Sequence, residues 1–203
     1  METCWSQGVA GVTMFQSGGD NLISIGVNGG SGLLKDISLD TLTAERTPIE
    51  VIDQKLQTAY NLAVTLTPLP GSLRTTRLLR VVPGYTIINC LEESIDFLHP
   101  TDHSRDPYKG FTVDANSAST WHRPLMQPGT AMRLRSASTS PSIGWIDIND
   151  IGSSLLLLPR NDSEAKKHSS HIVAHVEVKF SEPDEASYIT VVIWRAKIKK
   201  ISD

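Results

Sequence analysis

The histidines are the first residues to test for chemistry, because imidazole is a common metal ligand and general base. His171 and His175 share one face of a predicted strand, but at roughly 3.3 Å per residue they lie about 13 Å apart, too far for one metal ion. The proline at position 100 disfavours the helix that would bring His99 and His103 together. We therefore interpret the histidines as solvent-exposed side chains, and we expect neither a metal nor a cofactor.

Other constellations that could carry chemistry are incomplete. The sequence has no G-x-S-x-G nucleophile motif, no phosphate-binding G-x-x-x-x-G-K-[ST] loop and no G-x-G-x-x-G motif. Asp147, Asn149 and Asp150 are spaced like the start of a calcium loop, but the required glycine and distal glutamate are missing. Arg133 and Arg135 share a strand face that could bind acidic groups, although pairing with cross-strand carboxylates is favoured. We predict that the protein is not an enzyme.

The composition favours a packed protein with little charge surplus. The chain has 203 residues, of which 39% are apolar and 20% charged, and its net charge is −3, which argues against broad binding to nucleic acid. It has two cysteines, Cys4 and Cys90, as expected in a reducing compartment. The longest apolar run, Leu155 to Leu158, is far shorter than a membrane span, and we find no signal peptide. We expect a cytosolic protein, or a soluble piece of one.

Strand patterns dominate the chain. "YNLAVTLT" (60–67) and "HIVAHVEVKF" (171–180) alternate between apolar and polar residues, and "YITVVIW" (188–194) is β-branched and aromatic throughout. Turn sequences such as "PLPG" and "EPDE" separate them, and no long amphipathic helix is found. The pattern predicts an all-β protein, an antiparallel β-sandwich repeat with little helix.

An internal sequence repeat divides the chain into similar units. "ISLDTLT" (37–43) matches "IDINDIG" (146–152), and "YNLAVTL" (60–66) matches "IVAHVEV" (172–178), so the pattern returns after about 110 residues. We predict one full unit and the start of the next within residues 33–203. Gly29–Gly32, "GGSG", is either a flexible joint or a natural hairpin loop, and residues 1–28 are predicted to be a strand segment that it joins to the main body.

The sequence also carries an ordered set of motifs. "LRTTRLLRVVPGYTIINCLEESIDF" is followed by "STWHRPL", by an "MRLR" strand and by "SPSIGWIDINDIGSSL". This order, over residues 37–203, resembles the adaptor-binding repeats of the Vps-thirteen family of bridge-like lipid-transfer proteins. Each family repeat carries a hallmark asparagine at the end of its "P-x-Y-x-ϕ-x-N" strand, and Asn89 falls on that position. The second copy departs from the pattern, since it ends "VVIWRAKIKKISD" without such a strand.

The resemblance implies a non-catalytic interaction module. Family repeats bind short Pro-x-Pro motifs of organelle adaptors and so direct lipid transfer to membrane contact sites at the endosome, vacuole or mitochondrion. The partners would be adaptor proteins and not nucleic acid, and the module would be cytoplasmic, peripheral to membranes, and active in vacuolar protein sorting. The alternative is a sandwich that binds carbohydrate or lipid headgroups as an accessory domain of an enzyme, although the four tryptophans are scattered and form no evident sugar platform.

Two kinds of site residue follow. Asn89 would serve adaptor binding or repeat integrity, since an inward amide next to Tyr85 and Ile87 can bond the backbone of a neighbouring loop. An extended peptide would add to a strand edge with little charge. The first candidate strand carries Tyr188, Thr190 and Val192, and the second carries His175 and Glu177.

Overall fold

The computed structural model describes most of the strand-forming sequence. The described residues are 12–16, 21–27, 35–71, 76–98, 111–125, 129–136, 141–159, 171–182 and 185–196. Within them, strands account for 66% and helix for 1%, and the strand pairs are antiparallel wherever their register is defined. The predicted all-β fold with little helix is confirmed.

Sixteen strands are found in the described part of the chain. They are β1 (Val12–Gln16), β2 (Leu22–Val27), β3 (Lys35–Ser38), β4 (Thr47–Asp53), β5 (Thr58–Pro68), β6 (Arg77–Pro83), β7 (Tyr85–Asn89), β8 (Ile95–Leu98), β9 (Phe111–Val113), β10 (Ser117–Trp121), β11 (Arg123–Pro124), β12 (Ala131–Ser136), β13 (Ile146–Asp147), β14 (Gly152–Pro159), β15 (His171–Phe180) and β16 (Ile189–Arg195). They fall into two compact units, made of Met1–Tyr85, Trp121–Pro128 and Glu182–Tyr188, and of Thr86–Thr120, Gly129–Ser181 and Ile189–Asp203.

The first unit contains two sheets. One has the order β1-β2-β3, and the other has β5 at its centre, with β4 on one edge and β6 and β11 sharing the other. Period-two alternation turns one face of each sheet inward, where apolar side chains leave water. The core includes Ile25, Ile37, Val51, Leu62 and Val64.

The second unit also contains two sheets. Their strand orders are β10-β7-β16-β15-β14 and β13-β12-β8-β9. In β15 the residues at 172, 174, 176 and 178 are buried while those between them are partly exposed, as the alternating sequence predicts. The inward faces of the two sheets supply the core, which includes Ile95, Leu134, Leu158 and Ile193.

The two units share a six-strand motif with the same pairing register. Strands β1 to β6 of the first unit correspond in order to β8, β12, β13, β14, β15 and β16 of the second. The β2–β3 ladder recurs in β12–β13, and the β5–β6 ladder recurs in β15–β16, each with the offset that the sequence repeat predicts. The cross-strand pair Ile23–Ile37 corresponds to the pair Met132–Ile146. In the same way, the pair Val64–Val81 corresponds to the pair Val176–Ile193.

A single backbone hydrogen bond shows how closely the motifs agree. Gly84 N donates to Asn61 O at 2.7 Å after β6, and Ala196 N donates to Val173 O at 2.9 Å after β16. The two donors are separated in sequence by the same interval as the two acceptors. The repeat seen in the sequence therefore corresponds to equivalent strands of two structural copies.

The units do not follow the predicted division of the chain. The prediction separated residues 1–28 from a sandwich over 33–203, with one full repeat and the start of another. In the structure β2 pairs with β3 within the first unit, so the hairpin of β1 and β2 completes that unit's own sheet. The second unit contains all six strands of the motif. Gly29–Gly32 lie outside the described residues.

Candidate functional site

Asn89 is a fully buried polar side chain at the end of β7. Its Nδ2 donates to Glu93 O at 2.8 Å, to Asp114 O at 3.0 Å and to Val113 O at 3.2 Å. Its Oδ1 accepts from Leu91 N at 3.0 Å. The exposed fraction of the residue is 0%, so every polar atom of the amide is directed at backbone.

The Asn89 amide therefore holds together the end of β7, the loop that follows it and the end of β9. The prediction that this amide bonds the backbone of neighbouring loops is confirmed by the geometry. Such bonding explains why a polar residue occupies an inward position, since unpaired backbone groups would each cost about 1–3 kcal/mol. The arrangement supports a role in repeat integrity, and the buried side chain offers no surface for direct contact with an adaptor.

One edge of the five-stranded sheet of the second unit is formed by β14, and β10 forms the other. Ile143 N donates to Leu157 O at 3.0 Å, so the carbonyl of Leu157 points away from β15. Because backbone direction alternates along a strand, Ser153 and Leu155 also turn their N–H and C=O groups outward. No backbone partner for these groups of Ser153 and Leu155 is found among the described residues. We call residues 153–157 the β14 edge.

An apolar groove lies next to the β14 edge. Leu155, His175 and Trp194 stand in register across three strands, and the His175 and Trp194 rings contact each other at a tilt, with their centroids 4.3 Å apart. The exposed fractions of the Leu155 and Leu157 side chains are 66% and 39%. The groove, which we call the β14 groove, encloses about 710 Å³ and is lined by residues that include Ser153, Leu155, Val173, His175, Trp194 and Arg195.

The two strands predicted as docking edges are interior strands. β16 lies between β7 and β15, and β15 lies between β16 and β14, so both ladder sides of each strand are occupied. A peptide cannot add a strand to either of them, which corrects the predicted mode of docking there. Central strands and edge strands have the same period-two pattern, and sequence alone did not separate them.

The five predicted docking residues have different environments. His175 lies in the β14 groove, and Glu177 and Val192 are paired neighbours on the same partly exposed face. Thr190 is buried and its hydroxyl bonds Ser181 Oγ at 2.6 Å, while Tyr188 precedes β16 and its backbone N–H donates to Pro83 O. Only His175 is brought to the groove.

Leu155 and Leu157 were missed as site residues. Their signal in the sequence is the run of four leucines, 155–158, because a strand with one face in the core needs only alternate apolar residues. Leu156 and Leu158 are buried, which leaves the other two on the exposed face. Four consecutive leucines in an edge strand indicate that both faces, or the edge itself, meet apolar surface.

The first unit contains a buried carboxylate, Asp53, and a pair of partly buried rings, Tyr60 and His122. Asp53 Oδ1 accepts from Lys55 N at 2.9 Å and Leu56 N at 3.0 Å, whereas its buried Oδ2 has no hydrogen-bond partner among the described residues. The Tyr60 and His122 rings lie 4.8 Å apart. Burial raises the pKa of Tyr60 above 10.0, with a further contribution from the charge of Asp53, and burial lowers the pKa of His122 below 6.5.

Neither a metal cluster nor a membrane helix is found in the described part of the chain. No group of three or more His, Cys, Asp or Glu side chains is placed there to hold a metal ion. No helix among those residues is long and apolar enough to cross a bilayer.

In comparisons with known proteins, no family model matches the sequence and no curated protein matches it.

Proposed function

We propose that this chain is a non-catalytic interaction module of a bridge-like lipid-transfer protein. It binds short Pro-x-Pro motifs of organelle adaptors and thereby targets lipid transfer and vacuolar protein sorting to membrane contact sites. The open β14 edge with its apolar groove is the observation that carries this proposal. The ordered motifs of residues 37–203, including the asparagine at 89, support the choice of parent family.

The β14 edge favours an extended peptide over other ligands. Ser153 and Leu155 present backbone donors and acceptors on the open side of the strand, which an incoming strand can pair. Peptide addition of this kind gains affinity from main-chain hydrogen bonds and specificity from alternate side chains. An apolar ligand without a backbone would leave those edge groups unpaired.

A Pro-x-Pro sequence has the right period for this edge. Residues two apart in a strand direct their backbone groups to the same side, so the two prolines can turn their missing N–H positions away from β14. When the peptide runs parallel to β14, the residue between them directs its N–H and C=O towards β14, and a proline stands opposite Leu155 with its ring on the same face. Proline is tolerated in this position because it removes donors only from the outer side of an edge strand.

The β14 groove provides surface for the proline rings. Both rings lie on one face of the bound strand, since side chains two residues apart share a face. Leu155 and the neighbouring rings of His175 and Trp194 offer apolar and aromatic surface on the corresponding face of the sheet. Aromatic-lined grooves are a recurring means of binding proline-rich segments.

The first test is calorimetric titration of the full chain with a short peptide that contains Pro-x-Pro. We expect micromolar affinity, about −8 kcal/mol, because a short peptide buries little area and loses chain entropy on binding. The affinity should depend little on salt, since few charges are engaged. A peptide with both prolines changed to alanine should bind at least tenfold more weakly.

Two variants at one position separate edge pairing from side-chain contact. Leu155→Pro removes an outward N–H that β15 does not use, whereas Leu155→Ala keeps that N–H and removes only the side chain. We expect Leu155→Pro to abolish binding and Leu155→Ala to weaken it severalfold, with both proteins still folded. Equal affinity for the two peptides, or binding of a glycan or anionic vesicles without peptide binding, would reject the proposal.

A further inference from the structure

The outer edge of β6 in the first unit has exposed backbone groups. Gly84 N donates to Asn61 O in β5, whereas Pro83 O accepts from Tyr188 N on the other side. Backbone direction alternates along the strand, so Val81, Leu79 and Arg77 share the outward direction of Pro83. No strand besides β5 pairs with β6 among the described residues. We call residues 77–81 the β6 edge.

One end of this strand is already occupied. Tyr188 N bonds Pro83 O at 3.0 Å, and Arg80 Nη2 donates to Glu185 O at 3.0 Å. The segment before β16 therefore lies along the C-terminal end of β6. Between Arg77 and Val81, the outward backbone groups have no partner among the described residues.

The equivalent edge in the second unit is covered. β16 corresponds to β6, and β7 pairs with it on the side away from β15. Cys90 N donates to Ile193 O at 2.8 Å, and Ile193 is the counterpart of Val81 in the matching ladder. The same outward carbonyl is thus paired in the second unit, whereas in the first unit it has no partner within the described ranges. Ile87 of β7 is fully buried on the inward side of the strand.

An open cavity lies beside the β6 edge. It encloses about 460 Å³, and its lining includes Ile23, Leu39, Leu66 and Leu79, with Asn21 and Asp40 bonded to each other at 3.1 Å. In the second unit the counterparts of the four apolar residues, Met132, Ile148, Val178 and Val191, are all buried. Three of the four in the first unit remain partly exposed, and only Leu66 is buried.

We propose that the β6 edge is an interaction surface for a strand of the β7 type, supplied by a further copy of the same repeat. Its occupant is an extended segment with inward residues at the spacing of Tyr85, Ile87 and Asn89. Its middle apolar side chain fills the cavity, and its backbone pairs with Leu79 and Val81. The second unit supports this occupant, since it shows the same motif with that strand in place.

The binding partner can be tested as a peptide in trans. The probe is a synthetic peptide of Pro83–Leu91 that carries Cys90→Ser, titrated into the isotope-labelled full chain and followed by amide chemical shifts. We expect saturable shifts at Arg77–Val81 and around the cavity at Ile23 and Leu39. A peptide that also carries Ile87→Asp should bind at least tenfold more weakly, because its carboxylate would lose hydration against Ile23 and Leu79 and lie near the Asp40 carboxylate.

Two variants of the protein provide the matched control. Arg77→Pro removes an outward N–H without touching the β5 ladder, and Arg77→Ala keeps that N–H. We expect Arg77→Pro to lower peptide affinity at least tenfold and Arg77→Ala to change it by less than about threefold. If Arg77→Pro fails to fold, the shift map and the Ile87→Asp peptide still decide the question.

Several results would overturn the inference. They are the absence of shifts at millimolar peptide, equal binding by the two peptides, shifts confined to β16 through strand exchange, and shifts confined to the β14 edge. This test uses no Pro-x-Pro peptide, so its outcome is independent of the adaptor proposal.

Discussion

The two copies of the six-strand motif differ most at their edges. In the first unit β4 is the counterpart of β14. Pro48 of β4 pairs with Ala63 of β5, and the corresponding pair in the second unit is Leu155 of β14 with His175 of β15. Proline has no N–H to offer an incoming strand, so the first unit has a blocked edge where the second has an open one. The same motif is thus closed to a peptide in one copy and open in the other.

The neighbouring position shows the same contrast. Glu50 in β4 corresponds to Leu157 in β14, and the Glu50 carboxylate pairs with Arg123 at 2.9 Å. Charge and proline are the usual protections of an edge strand, and exposed leucines are the usual sign of a contact surface. On the other side of each three-strand ladder the contrast is reversed. In the first unit β6 has an exposed stretch, whereas in the second unit the corresponding strand, β16, is covered by β7. Among the described strands of the motif, the open edge is therefore at β6 in the first unit and at β14 in the second, and these two edges are not equivalent.

The largest expected effect comes from exchanging the residue after β6 for its counterpart. Gly84→Ala would place a Cβ 2.9 Å from Asn61 Cβ and 3.0 Å from the backbone carbonyl carbon and oxygen of Asn61. Since backbone cannot move aside cheaply, we expect the free energy of unfolding to fall by about 3 kcal/mol. Thermal and denaturant unfolding of the purified variant measure this.

The second unit provides the matched control for that exchange. Ala196 is the natural counterpart of Gly84, and Ala196→Gly should cost only about 0.5–1 kcal/mol through backbone entropy. If Gly84→Ala were as mild as Ala196→Gly, the two copies would be interchangeable at this contact. The backbone contacts of the two copies would then be alike at this position, and the two copies would differ only elsewhere.

The next effect concerns the amide that secures the loops of the second unit. Asn89→Ala should lower the free energy of unfolding by about 2 kcal/mol, because the backbone groups of Glu93, Asp114 and Leu91 lose a buried partner. Binding of the proposed Pro-x-Pro peptide should weaken only in proportion to the unfolded fraction, since the side chain has no exposed surface. Calorimetric unfolding and peptide titration, performed on the same preparation, measure both.

An exposed asparagine of the same unit serves as the control. The side chain of Asn149 is exposed and bonds Thr130 Oγ1 at 3.1 Å, so Asn149→Ala should change stability by less than about 0.5 kcal/mol. Loss of adaptor binding by Asn89→Ala at full stability would contradict the integrity role and favour direct recognition.

Local patterns in the sequence were sufficient for the fold class and for Asn89. Strands β5, β15 and β16 were predicted from alternation and β-branching, which depend on neighbours in sequence. The bonding of the Asn89 amide to nearby backbone followed from an inward polar residue at a strand end, because buried amides must find partners. The repeat offset also came from sequence alone, and the structure matches it in two ladders.

Strand order could not be predicted in the same way. Whether β16 or β14 forms an edge depends on pairings between residues far apart in sequence, and a buried central strand and an apolar edge strand have similar compositions. The docking residues were therefore placed on interior strands. The division of the chain was missed for a similar reason, since β2 pairs with β3 across residues 28–34 and the Gly/Ser composition there suggested a joint.

The smallest expected effect concerns a histidine that belongs to the first unit alone. His122 precedes β11, a strand with no counterpart in the six-strand motif of the second unit, and its buried Nδ1 has no hydrogen-bond partner among the described residues. Burial lowers its pKa in the folded protein below the value of 6.5 expected when unfolded. The unfolded chain therefore binds more protons at this site, and this contribution to stability is complete above about pH 6.5 and is lost as the pH falls through the folded pKa. His122→Phe keeps a ring beside Tyr60 and removes the titration, so the unfolding free energy of the variant should fall less than that of the wild type between pH 7.5 and pH 5. Denaturant unfolding at the two pH values measures the difference, and the other histidines cancel because both proteins retain them. Parallel pH profiles for the two proteins would show that His122 is hydrated in solution, and this distinction between the units would then disappear.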